Sequence, residues 1–136
     1  MSGLVVDTSA AVAILFDEAG AGDVLAAIGD ADPRLLSAAT LVELGIVVEA
    51  RLGRAGGDVV DRFLRDGDIE VVEVDRTQAD RAIEGWRRFG KGRHPAALNL
   101  GDCFAYGLAM ATGQPVLCVG DDFARTDADV LPARPR

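Results

Sequence analysis

The chain has few of the residues on which many catalytic and structural centres depend. Its 136 residues include one His, two Cys, one Trp and one Tyr. One His and no paired Cys spacing disfavour a zinc site, and two cysteines in apolar segments do not form the disulfide framework of a small secreted domain. The amino terminus also has no secretory-signal pattern. We therefore expect a reduced, cytoplasmic location.

Long apolar runs are absent as well. The longest uncharged segment, residues 103–120, is interrupted by a Thr-Gly-Gln-Pro sequence where a membrane span would have to stay apolar. No membrane association is predicted. The length suits one packed domain, which we place at residues 1–131, followed by a tail at residues 132–136.

Positive charge is scarce, with 14 Lys and Arg against 22 Asp and Glu and a net charge of -8. Such a balance disfavours nucleic-acid binding in general, because affinity for phosphates comes from cations. One segment differs, since residues 81–94 hold five cations and one acid. We predict that it contacts nucleic-acid phosphates, with Arg88, Lys91 and Arg93 as the candidate substrate-binding residues. A solvated helix end is the simpler alternative.

Short β-type runs alternate with helical ones, which is typical of an α/β fold with a central parallel sheet of four to five strands flanked by helices. The predicted strands are residues 4–6, 35–36, 69–74 and 116–119. The predicted helices are residues 9–16, 22–28, 40–52, 58–66, 77–89 and 102–111. We expect the aromatic side chains of the later helices in the core or at an interface: Trp86, Phe89, Phe104 and Tyr106.

Charge is missing from three segments, residues 4–16, 35–48 and 95–120. Their 53 residues carry three charges, whereas the chain-wide charged fraction of 26% predicts about 14. All three are acids, and no Lys, Arg or His lies in these segments. Buried carboxylates are rare unless they are paired or bind a metal, so a shared cation is the economical explanation. The three acids are Asp7, Glu43 and Asp102.

The acids also lie close to predicted strand ends. Asp7 follows the first strand directly, and Asp102 lies in the first turn of a helix. Asp121 and Asp122 follow the last predicted strand. Open α/β sheets bind ligands at the carboxyl ends of their strands. Carboxylates gathered there repel one another, and a divalent cation removes the conflict. Ligation by oxygen alone favours Mg²⁺ or Mn²⁺.

Four segments of the sequence, in their order and spacing, resemble a PIN domain, and closely resemble VapC-type toxins of bacterial toxin-antitoxin pairs. The segments are LVVDTSA, LVELGIVVEAR, LNLGDCFAYGLA and VLCVGDDFARTD. The resemblance implies a PIN-like fold and a Mg²⁺- or Mn²⁺-dependent endoribonuclease that is silenced by a cognate VapB-type antitoxin. The RNA substrate stays open between tRNA, rRNA and mRNA.

The same resemblance assigns the site residues. Asp7, Glu43 and Asp102 are the three core acids: Asp7 and Asp102 would bind the ion directly, and Glu43 would bind it or orient its water. Asp121 and Asp122 compete for the role of fourth acid, and Asp127 lies outside the set. The hydroxyls of Thr8 and Ser9 are candidates to hydrogen-bond Asp7 or the scissile phosphate.

Structural alternatives exist for these acids. The sequence from Thr40 to Glu43 also fits a capping box at a helix start. Asp102 is placed to face a helix dipole, and Asp7 to be a turn acid. Two other functions remain possible: a catalytically inactive PIN-fold interaction module, and a metal-dependent phosphohydrolase of another class. A haloacid dehalogenase would need a second acid at Ser9. Apolar residues on the early helices suggest a homodimer, and a higher assembly with the antitoxin.

Overall fold

The computed structural model describes residues 3–133, where short strands alternate with helices as predicted. Residues 1–2 and 134–136 lie outside the described residues, so most of the predicted tail does too. The strands are β1 Leu4–Val6, β2 Arg34–Ser37, β3 Glu70–Val72, β4 Val116–Leu117 and β5 Val130–Leu131. The helices are α1 Thr8–Leu15, α2 Ala21–Ile28, α3 Ala38–Leu52, α4 Gly56–Asp66, α5 Arg76–Phe89 and α6 Leu100–Thr112.

The five strands form one parallel sheet in the order β3-β2-β1-β4-β5. This confirms the predicted fold class. From β1 the chain builds the sheet first to one side, through β2 and β3, and later to the other, through β4 and β5. The gap between β1 and β4 is therefore the place where the strand order reverses, and parallel sheets open a ligand crevice at the carboxyl ends of such strands.

Two apolar clusters cover the two faces of the sheet because alternate residues of a strand point to opposite sides. Leu4 and Val6 pack with the side chains of α1 to α4, whereas Val5 packs with those of α5 and α6. Each of these three β1 side chains is at most 1% exposed. The sheet is thus buried on both faces, which explains why its central strands are apolar runs.

Some predicted boundaries were wrong at the edges of the sheet. The strand predicted at residues 69–74 spans only Glu70–Val72, because β3 is an edge strand whose three residues pair with the end of β2. The strand predicted at residues 116–119 ends at Leu117. The two-residue strand β5 was not predicted at its position. Among the described residues, no helix is both long and apolar enough to cross a membrane.

Candidate active site

Asp7 stands at the junction of β1 and α1, where it is the N-cap of the helix. Its Oδ2 accepts hydrogen bonds from the Ser9 backbone N–H at 3.0 Å and from the Ser9 hydroxyl at 2.6 Å. The residue is only 4% exposed. Asp7 therefore has the structural role of capping a helix after a turn, which was the predicted alternative to metal binding. It is nevertheless buried, at the place where the strand order reverses.

Ser9 connects this acid to the neighbouring strand. While its hydroxyl donates to Asp7, its Oγ accepts a hydrogen bond from the Val119 backbone N–H at 3.0 Å, just beyond the end of β4. A single side chain thus links the carboxyl ends of the two strands that border the crevice. Its position fixes one oxygen of Asp7 and leaves the orientation of the carboxylate little freedom.

Glu43 reaches the same crevice from α3. Its Oε1 accepts a hydrogen bond from the Thr8 hydroxyl at 2.5 Å. Its Oε2 lies over Gly101 so closely that a Cβ at this glycine would be 2.5 Å away. The carboxylate therefore rests on the bare backbone of α6, one residue before Asp102.

The predicted capping-box alternative for Glu43 was wrong. Helix α3 begins at Ala38, with Ser37 as its N-cap accepting from the Ala39 N–H. Thr40 and Glu43 consequently lie inside the helix, where neither is a cap. The error has a local cause, since Ser37 and Thr40 are both good cap residues and only the end of β2 decides between them.

Asp102 does take part in a capping box, at the start of α6. Its Oδ2 accepts from the Asn99 N–H at 3.0 Å, while Asn99 Oδ1 accepts from the Asp102 N–H at 2.9 Å. This reciprocal pair fixes the first turn of the helix. Sequence reasoning missed Asn99, although the Asn-x-x-Asp spacing was a usable signal.

The acids of the crevice influence one another electrostatically. Burial raises the pKa of Asp7 to about 6, and the charges of Asp102 and Glu43 add to the rise, while hydrogen bonds from Ser9 oppose it. Burial also raises the pKa of Asp102, as do the charges of Asp122 and Glu43, against a lowering by the backbone hydrogen bond from Asn99. None of the ion pairs in residues 3–133 involves these acids. Their mutual repulsion is therefore not relieved by a cationic side chain.

This donor set suits a hard divalent cation. Within the described chain, one oxygen each of Asp7, Glu43 and Asp102 accepts the hydrogen bonds given above, and the other oxygen accepts none. Such fixed partners behind the ligands are usual at metal sites. No group of three or more His, Cys, Asp or Glu side chains in residues 3–133 is already arranged to hold a metal ion. Binding of an ion would therefore require the carboxylates to move closer together.

The acids in the segment after β4 differ in the groups with which they interact. Asp122 raises the pKa of Asp102, which associates it with the crevice. Asp127 instead accepts from the Tyr106 hydroxyl at 2.7 Å and forms an ion pair with Arg88 at 2.9 Å. Burial alone would raise the pKa of Asp127, but these two hydrogen bonds and the Arg88 charge lower it. Asp127 thus lies outside the acid set, as expected. Asp121 is exposed.

The other predicted contact residues serve the structure in part. The Thr8 hydroxyl donates a hydrogen bond to Glu43, and the Ser9 hydroxyl donates one to Asp7, so both residues position the acids. Contact of either hydroxyl with a phosphate stays a prediction. Arg88 is engaged by Asp127. Lys91 is exposed, and Arg93 is treated below. All three lie on or directly after the end of α5, which leads through residues 90–98 to α6.

A parallel α/β sheet with several acids at the reversal of strand order is the arrangement expected of a PIN-type domain. The chain matches the family model "PIN domain" over residues 4–129. It is 48% identical to ribonuclease VapC30 of Mycobacterium tuberculosis over 124 residues, 91% of this chain and 95% of that protein. The chain belongs to the PIN-domain family and, within it, to the VapC ribonucleases. Nucleases of this kind are generally dependent on a divalent metal.

Solved structures support the fold. The crystal structure of Mycobacterium tuberculosis VapC20, a toxin that cleaves the sarcin-ricin loop, has a TM-score of 0.75 at 18% identity and covers 98% of this chain and 100% of that one. DNA-bound VapBC from Salmonella typhimurium has a TM-score of 0.73 at 19% identity, covering 96% of both chains. Membership of this family excludes the alternative function of a metal-dependent phosphohydrolase of another class.

Proposed function

We propose that this protein is the toxin of a toxin-antitoxin pair and that it hydrolyses RNA phosphodiester bonds with Mg²⁺ or Mn²⁺. The observation that carries the proposal is the group of acids at the reversal of strand order, where burial and neighbouring carboxylates raise the pKa of Asp7 and of Asp102 and no cationic side chain of the described residues pairs with either. The relatives named as VapC ribonucleases support the substrate class. A divalent ion bound there supplies Lewis acidity for the phosphate and makes water a better nucleophile at neutral pH.

The residues of the site have two roles, as ligands of the metal ion and as hydrogen-bond donors that position these ligands. Asp7 and Asp102 offer their unbonded oxygens to the ion, and Glu43 offers Oε2 to the ion or to a water. Ser9 and Thr8 hold Asp7 and Glu43 in place. An in-line attack by water needs no side-chain nucleophile.

A thiol or imidazole mechanism has no support in the geometry. Burial raises the pKa of the Cys103 thiol to about 11, and the charge of Asp102 adds to the rise, so the thiolate is disfavoured at neutral pH. His94 Nδ1 accepts the Ala96 N–H at 3.0 Å, and its ring packs edge-on against Phe89. Both residues serve packing.

The proposed partners are the cognate VapB-type antitoxin, which would cover the acidic crevice in the cytoplasm, and a second copy of the chain. Of the apolar residues on the early helices that suggested a homodimer, those from Ala10 to Ala13 of α1 are buried in the core of the chain itself, whereas Leu25 of α2 is 53% exposed. A better candidate face combines Val42 and Ile46 of α3 with Leu100 of α6, which are 61%, 65% and 76% exposed. We keep the homodimer as a proposal on this face.

The function is tested by incubating the purified protein, freed of antitoxin, with total RNA and with tRNA in the presence of Mg²⁺ or Mn²⁺. We expect cuts at few discrete positions, located by mapping the 5′ ends, and no cuts by Asp102→Asn. Intact RNA with the wild type under every metal condition, in a protein that is folded and antitoxin-free, would favour the inactive interaction module.

Asp122→Asn and Asp121→Asn should differ in this assay. Because the charge of Asp122 acts on Asp102, we expect its neutralisation to lower the cleavage rate by about 10- to 100-fold, the usual effect of weakening a metal site. Asp121→Asn carries the same change of charge at the neighbouring residue and is the matched control, with an effect of about twofold or less. A greater loss in Asp121→Asn would reverse the assignment.

Gly101→Ala is expected to reduce cleavage by about 10- to 100-fold without reducing stability. The added methyl group meets the Glu43 carboxylate at 2.5 Å from Oε2, so the carboxylate has to move away from the site. Alanine inside a helix otherwise stabilises relative to glycine. Gly45→Ala in α3 is the control, since its Cβ meets nothing within 4 Å. Unchanged cleavage in Gly101→Ala would show that the position of Glu43 is not critical.

A further inference from the structure

Trp86, which the sequence predicts in the core or at an interface, does not lie in the core. This residue, the sole Trp of the chain, is 43% exposed on the surface of α5. The guanidinium of Arg93 lies over its ring, with Cζ 4.2 Å from the ring centroid. The pair forms an exposed planar surface that is both aromatic and cationic.

The surroundings of this pair are basic although the protein is acidic overall. In residues 81–94, Arg87 is paired with Glu84 and Arg88 with Asp127. Among the described residues, no carboxylate pairs with Arg81, Lys91 or Arg93. Of these three unpaired cations Arg93 lies on the indole itself, and Lys91 belongs to the same loop, so a polyanion would be attracted to this surface.

The chain connects this surface to the acids. The Leu98 N–H donates to Phe89 O and the Lys91 N–H donates to Leu98 O, so the loop after α5 closes against the residue before Asn99, the N-cap of α6. On the other side, Arg125 donates to Pro95 O at 3.3 Å, three residues after Asp122. Trp86 lies one helical turn before this loop. The basic loop thus joins the helix that carries the indole to the start of α6, and it contacts the segment that follows Asp122.

We propose that Trp86 and Arg93 form a stacking site for an unpaired nucleobase of the RNA whose backbone lies at the acids. Proteins recognise single-stranded RNA by stacking bases on aromatic rings and on arginine planes, with cations along the backbone. The combination of an exposed indole, a stacked guanidinium and unpaired positive charge fits this ligand better than an apolar protein partner. The inference rests on the proposed function because it needs RNA as the substrate.

Fluorescence excited selectively at tryptophan tests the site directly, because Trp86 is the sole Trp of the chain. The inactive Asp102→Asn protein is titrated with a mixed-sequence single-stranded RNA oligonucleotide and, in parallel, with inorganic polyphosphate of equal charge. We expect saturable quenching by RNA and little change with polyphosphate, which has no bases. Equal responses to the two ligands would mean that charge alone is sensed, and this would overturn the proposal.

Variants separate stacking from charge and from folding. We expect Trp86→Leu to weaken RNA binding about 10-fold or more and to raise KM for cleavage with little change in kcat. Trp86→Phe should retain most of the affinity. Arg93→Gln should weaken binding more than Arg76→Gln, which removes the same charge at the far end of α5, where Arg76 is paired with Asp80. Thermal unfolding confirms that each variant is folded.

The outcomes distinguish this inference from the function on which it rests. If the wild type cleaves RNA but Trp86→Leu has the wild-type KM and affinity, the stacking site is refuted and the nuclease remains. If Trp86→Leu loses affinity for the antitoxin and keeps it for RNA, the surface serves a protein instead, and the proposal also fails. If RNA quenches Trp86 but the wild type does not cleave, the stacking site stands and the nuclease proposal falls.

Discussion

Replacement of Asp7 by asparagine is expected to stop RNA cleavage and, in the metal-free protein, to raise the melting temperature at neutral pH. Cleavage should fall by about 10³-fold or more, because a metal ligand supplies several kcal/mol of transition-state stabilisation. Stability should rise because the wild-type carboxylate is buried, 4% exposed, beside two other acids. Loss of activity with a gain in stability is the signature of a functional rather than a structural acid.

The raised pKa of Asp7 determines how its contribution to the free energy of unfolding changes with pH. The folded-state pKa of Asp7 is raised from 3.8 to about 6, first by burial and then by the charges of Asp102 and Glu43. A raised pKa means that the folded protein binds the proton more tightly than the unfolded chain does. The associated stability is complete below about pH 4 and is lost as the pH rises through about 6. The loss is on the order of 3 kcal/mol by pH 7.5.

Asparagine removes this pH-dependent term without removing the helix cap. It is as good an N-cap as aspartate, and its Oδ1 can still accept from the Ser9 N–H. We therefore expect Asp7→Asn to melt about 5 to 10 °C above the wild type at pH 7.5, with much less difference near pH 4.5. The measurement is thermal unfolding in EDTA at the two pH values.

A matched control exists at another helix. Asp75 is the N-cap of α5 and accepts from the Gln78 N–H at 2.9 Å, but it is exposed. Asp75→Asn makes the same chemical change without relieving a buried charge, so neither stability nor cleavage should change much. Equal gains in Asp7→Asn and Asp75→Asn, or an active Asp7→Asn, would contradict our account of the site.

The acids of the site could be predicted from the sequence because burial of charge is costly. Selection against charge in the segments that form the core leaves Asp7, Glu43 and Asp102 as conspicuous exceptions. The same reasoning gives the parallel sheet, whose strands are apolar on both faces. These are strong energetic effects, and they act on residue type alone.

What could not be predicted depends on tertiary contacts of small energy. The helix cap at Ser37 was missed because Thr40, three residues later, is also a good cap in isolation. The choice between Asp121 and Asp122 as the fourth acid stayed open because both directly follow the same predicted strand, and only the field at Asp102 distinguishes them. The exposure of Trp86 was unpredictable for a related reason, since apolar residue type does not specify which helix face packs. Each of these details follows from the fold rather than from a local pattern.

Removal of divalent metal should abolish cleavage, and its addition should stabilise the wild type. We expect EDTA to stop RNA cleavage and excess Mg²⁺ or Mn²⁺ to restore it. An ion that binds only the folded state stabilises by mass action, by about 3 kcal/mol at a concentration near 100 times Kd. Thermal unfolding with and without metal measures this stabilisation, and the cleavage assay measures the activity in parallel.

The pH dependence of the metal effect locates the binding site. A metal and a proton compete for the Asp7 carboxylate, so the rise in melting temperature on adding Mg²⁺ or Mn²⁺ should be larger at pH 7.5 than near pH 5. Asp7→Asn should show little rise at either pH, whereas Asp75→Asn should respond like the wild type. An equal rise in wild type and Asp7→Asn would mean that the ion binds elsewhere. Cleavage that persists in EDTA would exclude a mechanism that depends on a divalent metal ion.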